Sequence, residues 1–188
     1  MARPIRETPI LYGKAKMKLK RIKNNEDIKP FDCGDADLNG FLLDDAVAFH
    51  SKHIGKTFVI EDEEEKEILA YFCLLNDKIT KIVASNSAWK KVKKLFPHDK
   101  HFNSYPAVKI GRLAVSTKFK SQGIGSKIIW LIKVHLRDEI TLSDFRFLTV
   151  DAYLSAVPFY EKNDFKFLDA EDKNKHTRLM FFDMNELY

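Results

Sequence analysis

A strand pattern that leads through a Gly-x-Gly turn into a long helix pattern constrains this fold more than any other feature of the chain. The stretch YPAVKIGRLAVS at 105–116 is rich in apolar residues and predicts a strand. GIGSKIIWLIKVHLRD at 123–138 predicts a helix. The chain has Gly 7 in its composition, and two of these glycines, Gly123 and Gly125, stand one residue apart at this junction. A function is therefore sought first at the turn.

The rest of the chain alternates strand and helix patterns. Strands are predicted at 15–22, at 145–153, at 165–168, at 177–184 and, as an antiparallel hairpin around a charged turn, within 56–77. Helices are predicted at 33–52 (with Asp35 as N-cap and Leu38, Phe41, Leu42, Ala46 and Phe49 on its apolar side), at 87–96 (with Trp89, Val92, Leu95 and Phe96 on one side) and at 155–163. No repeat or low-complexity linker interrupts the pattern, so we expect one α/β (α+β) domain over residues 1–188, built around a mixed sheet.

Composition describes an ordinary globular protein with a mildly basic surface. Lys and Arg number 32 against 27 Asp and Glu, a net charge of +5 that favours an anionic ligand or nucleic acid without requiring either. The N-terminal stretch shows no apolar run of signal-peptide length, and IIWLI at 128–132 is too short to cross a bilayer. We therefore expect a cytoplasmic protein that does not engage a membrane.

Cysteine and histidine spacings predict no metal site. Two cysteines, Cys33 and Cys73, are too few for a disulfide framework or a thiolate cage, and we interpret them as small buried side chains. HSKH at 50–53 and HDKH at 98–101 each pair two histidines, but neither pair has a third ligand in a matching pattern. Surface or core roles are favoured for these histidines.

The Gly-x-Gly turn predicts an anion site at the start of the helix. The first amides of a helix lack intrahelical acceptors and lie at the positive end of its dipole. Glycine at 123 and 125 would let the amides from Gln122 to Ser126 approach a phosphate group, with Lys120 adding positive charge. The spacing fits neither the Walker loop nor the Rossmann turn. A tight strand–helix turn without a ligand is the alternative.

Two motifs around this turn resemble the GNAT superfamily of N-acyltransferases. VKIGRLAVSTKFKSQGIGSKIIWLI at 108–132 is similar to the acetyl-CoA-binding core of that family, in which Arg/Gln-x-x-Gly-x-Gly/Ala opens a helix after an apolar strand. LTVDAYLSAVPFYEKNDFKFL at 148–168 resembles the family's second signature, a strand followed by a helix that carries Phe-Tyr. Upstream, residues 31–62 resemble a branch that includes toxins acetylating aminoacyl-tRNA.

The resemblance implies a fold, a cosubstrate and a site. The fold would be a mixed, mostly antiparallel central sheet with helices on both faces, and the cosubstrate would be acetyl-CoA without a metal. Tyr160 stands at the position of the family's general acid. The residues implied in acetyl-CoA binding are Leu113, Ala114 and Val115 on the strand, Lys120, Ser121, Gln122, Gly123, Ile124, Gly125 and Ser126 in the turn, and Phe159.

Three positions depart from the family pattern. Lys120 replaces the usual Arg or Gln and loses bidentate geometry, and Tyr153 replaces a frequent Asn. Asp164 replaces a Gly, although Asp tolerates a left-handed turn better than most residues. These substitutions weaken the expected contacts without removing the turn chemistry.

Two roles near the site stay open in the sequence. The base that deprotonates the amine is not distinguished among Glu61, Asp77 and Asp151. Arg112 is interpreted either as a substrate contact or as a structural ion pair.

Three functions follow from these motifs. The first is an acetyl-CoA-dependent N-acetyltransferase that acts on a primary amine by direct attack on the thioester. The second is a toxin-type enzyme that acetylates aminoacyl-tRNA, which the basic residues Lys16, Lys18, Lys20, Arg21 and Lys23 would favour. The third is a GNAT-like binding module for a CoA thioester without catalysis. A homodimer is compatible with each.

Overall fold

The computed structural model describes residues 10–12, 15–81, 84, 86–96, 102–138, 144–168 and 176–187. Within these ranges the strands are β1 (Ile10–Tyr12), β2 (Ala15–Arg21), β3 (Gly55–Asp62), β4 (Ile68–Thr80), β5 (Ser104–Val115), β6 (Phe147–Tyr153), β7 (Lys166–Phe167) and β8 (Thr177–Asp183). The helices are α1 (Ala36–Gly40), α2 (Ala46–Ser51), α3 (Asn86–Lys94), α4 (Ile124–Asp138) and α5 (Val157–Lys162). The chain divides into two compact units, residues 1–75 with 111–125 and residues 76–110 with 126–188.

The first unit is an antiparallel sheet with a helical segment. Strands β1 to β4 pair antiparallel with their neighbours, as the alternating pattern at 15–22 and the hairpin pattern at 56–77 predict. Asp62 shapes the β3–β4 turn, because its Oδ1 accepts hydrogen bonds from the amides of Glu64 at 2.7 Å and Glu65 at 3.0 Å. The acidic run Glu61 to Glu65, which the sequence predicts to be a solvated turn, is exposed at Glu64 and Glu65, whereas Glu61 is buried.

The helical segment of this unit begins where Asp35 predicts. The Asp35 carboxylate accepts a hydrogen bond from the Leu38 amide at 3.0 Å and caps α1. A π-helical turn (Phe41–Asp45) joins α1 to α2, and this irregularity is invisible in the apolar spacing. Phe41, Leu42 and Ala46 are buried in one cluster with Tyr71, and Leu38 and Phe49 pack against that cluster. The predicted apolar side is therefore the buried side.

The second unit supplies a parallel pair and a second antiparallel set. Strand β5 pairs parallel with β6, while β8 pairs antiparallel with both β6 and β7. Its core includes Tyr105, Phe147 and Leu168, against which Trp89 and Val92 of α3 pack. Phe96 stacks on Tyr105 with ring centroids 3.9 Å apart. Together the pairings confirm a mixed, mostly antiparallel sheet.

The structure corrects the predicted position of Leu95 and adds a detail to helix α4. Helix α3 ends at Lys94, so Leu95 lies beyond it and is exposed, contrary to its predicted place on the apolar side. In α4, Ile128, Ile129, Leu131 and Ile132 are buried whereas Trp130 is exposed, because one helical face alone can pack on the core.

Strand β1 was not predicted, since three residues carry too little pattern. Among the described residues, no helix combines the length and apolar character that a membrane crossing requires.

An ion pair closes the end of β8 in the second unit. Arg146 donates from Nε to Asp183 Oδ1 at 2.6 Å and from a terminal nitrogen to Oδ2 at 2.9 Å. Asp183 is 3% exposed and the Arg146 side chain 21%. This bidentate geometry makes the pair more specific than an exposed lysine–carboxylate contact.

We expect Asp183→Ala to lower the free energy of unfolding by about 2–3 kcal/mol, because it leaves Arg146 without its carboxylate in a largely buried position. Glu186→Gln is the matched control, since the exposed Lys166–Glu186 pair should contribute at most about 0.5 kcal/mol. Urea denaturation of both variants measures the difference. Equal losses would show that burial adds nothing to the Arg146–Asp183 pair.

Candidate functional site

The turn before α4 contains two residues with a left-handed backbone. Strand β5 ends at Val115, a 3₁₀ turn (Thr117–Phe119) follows, and Ser121 and Gly123 then adopt left-handed φ values of 63° and 76°. Lys120 precedes them in an extended conformation, with φ −59° and ψ 155°. Lys120, Ser121, Gln122 and Gly123 are exposed, whereas Ile124 is buried at the start of the helix. The turn is thus open to solvent.

The two glycines of the motif differ in what they do. A Cβ built on Gly123 meets no heavy atom within 4 Å, so its left-handed φ rather than crowding requires glycine there. Gly125 lies inside α4 without a positive φ. The sequence predicts the same backbone role for both glycines. Of the two, Gly123 adopts the positive φ and Gly125 does not.

Lys120 and the 3₁₀ turn lie against the segment before α1. The Thr117 amide donates to the Asp32 carbonyl oxygen at 2.9 Å, and the Thr117 hydroxyl donates to the same oxygen at 3.3 Å. A Cβ built on Gly34 would lie 3.6 Å from Lys120 Nζ. The amide of Gly34 holds the pKa of the Asp32 carboxyl below its usual range, with the Asn39 amide group and Lys120 adding to the effect. Asp32 is therefore ionised at neutral pH.

The predicted thioester strand contributes a buried and a half-buried face. Ala114 is buried in the cluster of Phe41 and Tyr71, while Leu113 and Val115 are half-buried. The Arg112 guanidinium lies 5.3 Å from the Phe41 ring centroid and 3.6 Å from Asp37 Oδ2. Of the two interpretations of Arg112, the structural ion pair is present.

In the second unit, Asn163 joins two residues that the sequence placed in the site. Its Nδ2 donates to Ser126 Oγ at 3.1 Å and to the Phe159 carbonyl oxygen at 2.8 Å. Lys133 Nζ in turn donates to the Asn163 carbonyl oxygen at 2.8 Å. Ser126 and Phe159 are thereby brought together. Sequence reasoning missed Asn163, although its place at the end of α5 beside the Phe-Tyr pair was a usable signal.

Lys133 is a buried cation held by aromatic faces. It is 4% exposed, and Nζ lies 3.5 Å from the Phe182 ring centroid and 5.5 Å from that of Phe165. Burial lowers the pKa of Lys133, which the charge of Asp164 opposes. Asp164 itself has a left-handed φ of 67°, so the turn expected to survive replacement of glycine at this position is present.

Tyr160 lies in an aromatic environment of the second unit. It is 6% exposed, with the ring centroids of Phe159 and Phe165 at 5.1 Å and 5.3 Å. The Asn163 and Phe165 amides both donate to its carbonyl oxygen at 3.0 Å, which fixes the end of α5. Burial raises the pKa of the Tyr160 phenol well above its ordinary value. The phenol is therefore protonated at neutral pH.

The three carboxylates proposed as bases each lie beside a lysine. Glu61 is buried with Lys29 Nζ at 3.1 Å, and Asp151 accepts a hydrogen bond from Lys109 at 2.8 Å. Asp77 accepts from the Thr149 hydroxyl at 2.6 Å and has Lys109 at 3.7 Å. Burial acts to lower the pKa of Lys109, but Asp151 and Asp77 raise it overall. The geometry singles out none of the three.

The described residues contain no cluster of three metal-ligating side chains. An Arg21 terminal nitrogen lies 3.2 Å from His50 Nδ1 and can donate to it. Burial, followed by the charge of Arg21, lowers the pKa of His50. His98 and His101 lie outside the described residues.

The C-terminal part of the chain matches the model of a known protein family. Residues 100–186 match the family model described as an acetyltransferase (GNAT) domain. This range contains the anion turn, the Phe-Tyr helix and Asn163. The resemblance drawn from the two motifs is confirmed.

Solved structures share the fold over most of the chain. AtaT complexed with acetyl-methionyl-tRNAfMet is 23% identical, with a TM-score of 0.73 over 91% of this chain and 96% of that one. A tyrosine-to-phenylalanine mutant of KacT is 21% identical, with a TM-score of 0.70 over 91% and 96%. A mutant AtaT toxin bound to the C-terminus of the antitoxin AtaR and acetyl-CoA is 19% identical, with a TM-score of 0.64 over 91% and 95%.

We expect Asn163→Ala to lower the free energy of unfolding by about 1–2 kcal/mol, because its side chain loses one hydrogen bond to Ser126 of α4 and one to the Phe159 carbonyl oxygen within α5. Asn185→Ala, at an exposed position outside this network, should stay within about 0.5 kcal/mol of the parent. Urea titration followed by tryptophan fluorescence provides the comparison. An unchanged Asn163→Ala variant would mean that water replaces both bonds at no cost.

Proposed function

We propose, on the premise that residues 100–186 form a GNAT acetyltransferase domain, that the chain transfers the acetyl group of acetyl-CoA to a primary amine. The observation that carries this proposal is the left-handed pair Ser121 and Gly123 at the start of a 15-residue helix. That turn presents exposed amides to solvent at the positive end of the helix dipole. A diphosphate matches both its charge and its open space.

The turn would hold the carrier by its phosphates. Amides from Ser121 to Gly125 would donate to the diphosphate oxygens, and Lys120 would supply a mobile positive charge. The backbone edge at Leu113 to Val115 would hold the pantetheine arm, as an added strand is held. A backbone N–H of that edge would stabilise the oxyanion of the tetrahedral intermediate. Acetyl-CoA supplies the activated thioester carbonyl.

Tyr160 would act as the general acid. The amine nitrogen forms a bond to the acetyl carbon, the carbon–sulfur bond breaks, and the departing thiolate takes the phenol proton. The proton lost by the amine passes to solvent and restores the phenol. Burial keeps the phenol protonated but also makes it a weaker acid, so its proton moves only as basic thiolate charge develops beside it. Phe159 and Phe165 exclude water around the ring.

A second candidate narrows the amine to that of aminoacyl-tRNA. Strand β2 and the residues just after it are basic: Lys20 on the strand pairs with Asp27 at 2.8 Å, and Lys23, beyond its end, is exposed. Such residues suit a polyanion. The fold shared with AtaT, whose solved complex contains acetyl-methionyl-tRNAfMet, points to the same substrate class. An antitoxin or a second copy would then be the protein partner, and the reaction would take place in the cytoplasm.

The non-catalytic alternative has less support. It gains from the substitutions at Lys120, Tyr153 and Asp164, yet the left-handed turn at Asp164 is present. Slow thioester cleavage with a broad panel of amines would favour this alternative over the enzyme.

We expect Gly123→Trp to abolish CoA binding, because the indole would fill the space in which the diphosphate lies and strain a left-handed residue. Isothermal titration calorimetry with CoA measures this. Lys94→Trp, at the exposed end of α3, is the matched control and should bind as the parent does. Undiminished CoA affinity of the Gly123→Trp protein would remove the turn from the site.

We expect Tyr160→Phe to lower kcat about 10²-fold while the Kd for CoA stays within about twofold, because the phenol acts on the leaving thiolate alone. Transfer of labelled acetyl from acetyl-CoA to charged tRNA measures the rate, and uncharged tRNA shows the need for the amine. Tyr105→Phe alters another buried tyrosine of the same unit and should keep the parental rate. Full turnover by Tyr160→Phe would exclude the acid role, and no transfer to charged tRNA by the parent would exclude that acceptor.

A further inference from the structure

We infer that Asp32 and Asn39 are positioning residues for the anion turn, a role that rests on the proposed function. They belong to the segment FDCGDADLN at 31–39, here termed the brace. The acetyl-transfer chemistry proposed above uses no residue of this segment. Its hydrogen bonds indicate a positioning role.

The brace is closed on itself by Asn39. The Asn39 Nδ2 donates to Asp32 Oδ1 at 2.8 Å, and the Cys33 amide donates to Asn39 Oδ1 at 2.9 Å. The Gly34 amide donates to Asp32 Oδ1 at 2.7 Å. One asparagine thus holds both sides of a tight turn whose third residue, Gly34, has a left-handed φ of 76°.

The brace meets the anion turn through backbone groups. Its Asp32 carbonyl oxygen accepts from both the amide and the hydroxyl of Thr117. The Phe119 amide donates to the Ser116 carbonyl oxygen at 2.9 Å, which makes residues 116–119 a stiff 3₁₀ link. The left-handed Ser121 follows two residues later. The orientation of residues 117–120 therefore depends on where Asp32 is held.

Electrostatic interactions also connect the brace with the turn. Lys120 Nζ lies beside Gly34, and the Asp32 carboxylate is close enough for Lys120 to favour its ionised form. The brace thereby keeps Lys120 at the mouth of the turn. A Cβ on Gly34 would lie 3.5 Å from Thr117 Cγ2, so Gly34 lies beside both Thr117 and Lys120. Loss of the brace contacts would leave the amides of the turn and Lys120 less well positioned for the diphosphate.

The test compares CoA binding with folding in the full chain. Asn39→Ala should raise the Kd for CoA, and the KM for acetyl-CoA, about 5- to 10-fold while kcat stays within about twofold, because positioning affects binding rather than the leaving group. Asp32→Asn keeps the Oδ1 acceptor of both hydrogen bonds but removes the charge beside Lys120, so its Kd should lie between those of the parent and of Asp32→Ala. Asp45→Asn, at an exposed position in the π-helical turn, is the control and should change nothing.

The outcomes separate the inference from the function on which it rests. CoA binding by the parent together with parental affinity in Asn39→Ala would overturn the brace and leave the acetyltransferase proposal intact. No CoA binding by the parent would overturn both. If Asn39→Ala does not fold, Asp32→Ala takes its place, because it removes the acceptor of the Asn39 hydrogen bond, and it should show a similar rise in Kd. Rapid hydrogen exchange at the Thr117 amide of the parent would also overturn the inference.

Discussion

The site depends on one conformational constraint, the left-handed backbone at Ser121 and Gly123 between a strand and a buried helix start. Serine in this region is unfavourable by about 1 kcal/mol or more, so the surrounding structure must hold it there. Ile124 anchors the helix below the turn, and the Asp32–Thr117 hydrogen bonds hold the link above it. Residues 120–123 of the turn are exposed. In the proposed function, anion binding would rest on backbone amides rather than on a dense cluster of charged side chains.

In the second unit, hydrogen bonds hold the C-terminal end of α5 in place. Helix α5 is six residues long and cannot be stable by propensity alone. Asn163 ties its carbonyl end to Ser126, and the buried Lys133 donates to Asn163 while lying over the Phe182 ring. Tyr160 gains its orientation and its raised pKa from the same packing. The proposed acid is thus positioned by residues that take no part in proton transfer.

Local patterns predicted much of the fold. The hairpin of β3 and β4, the Asp35 cap and the helix α4 each arise from residues close in sequence, and each is present. The turn at Gly123 was predicted as well, because glycine spacing is a local property, and its binding of an anion stays a prediction. The π-helical turn and the exposed Leu95 were missed, since apolar spacing does not register a single extra residue or the end of a helix.

The amino-acid sequence by itself determined the element order, the strand–glycine turn–helix junction and the match of residues 100–186 to the GNAT acetyltransferase model. Tertiary structure alone decided which carboxylates are paired with lysines, that Lys133 is buried, and that the 31–39 segment lies against the turn. The physical reason is distance along the chain. Asp32 and Thr117 are 85 residues apart, and no local propensity reports a contact that folding makes between such positions.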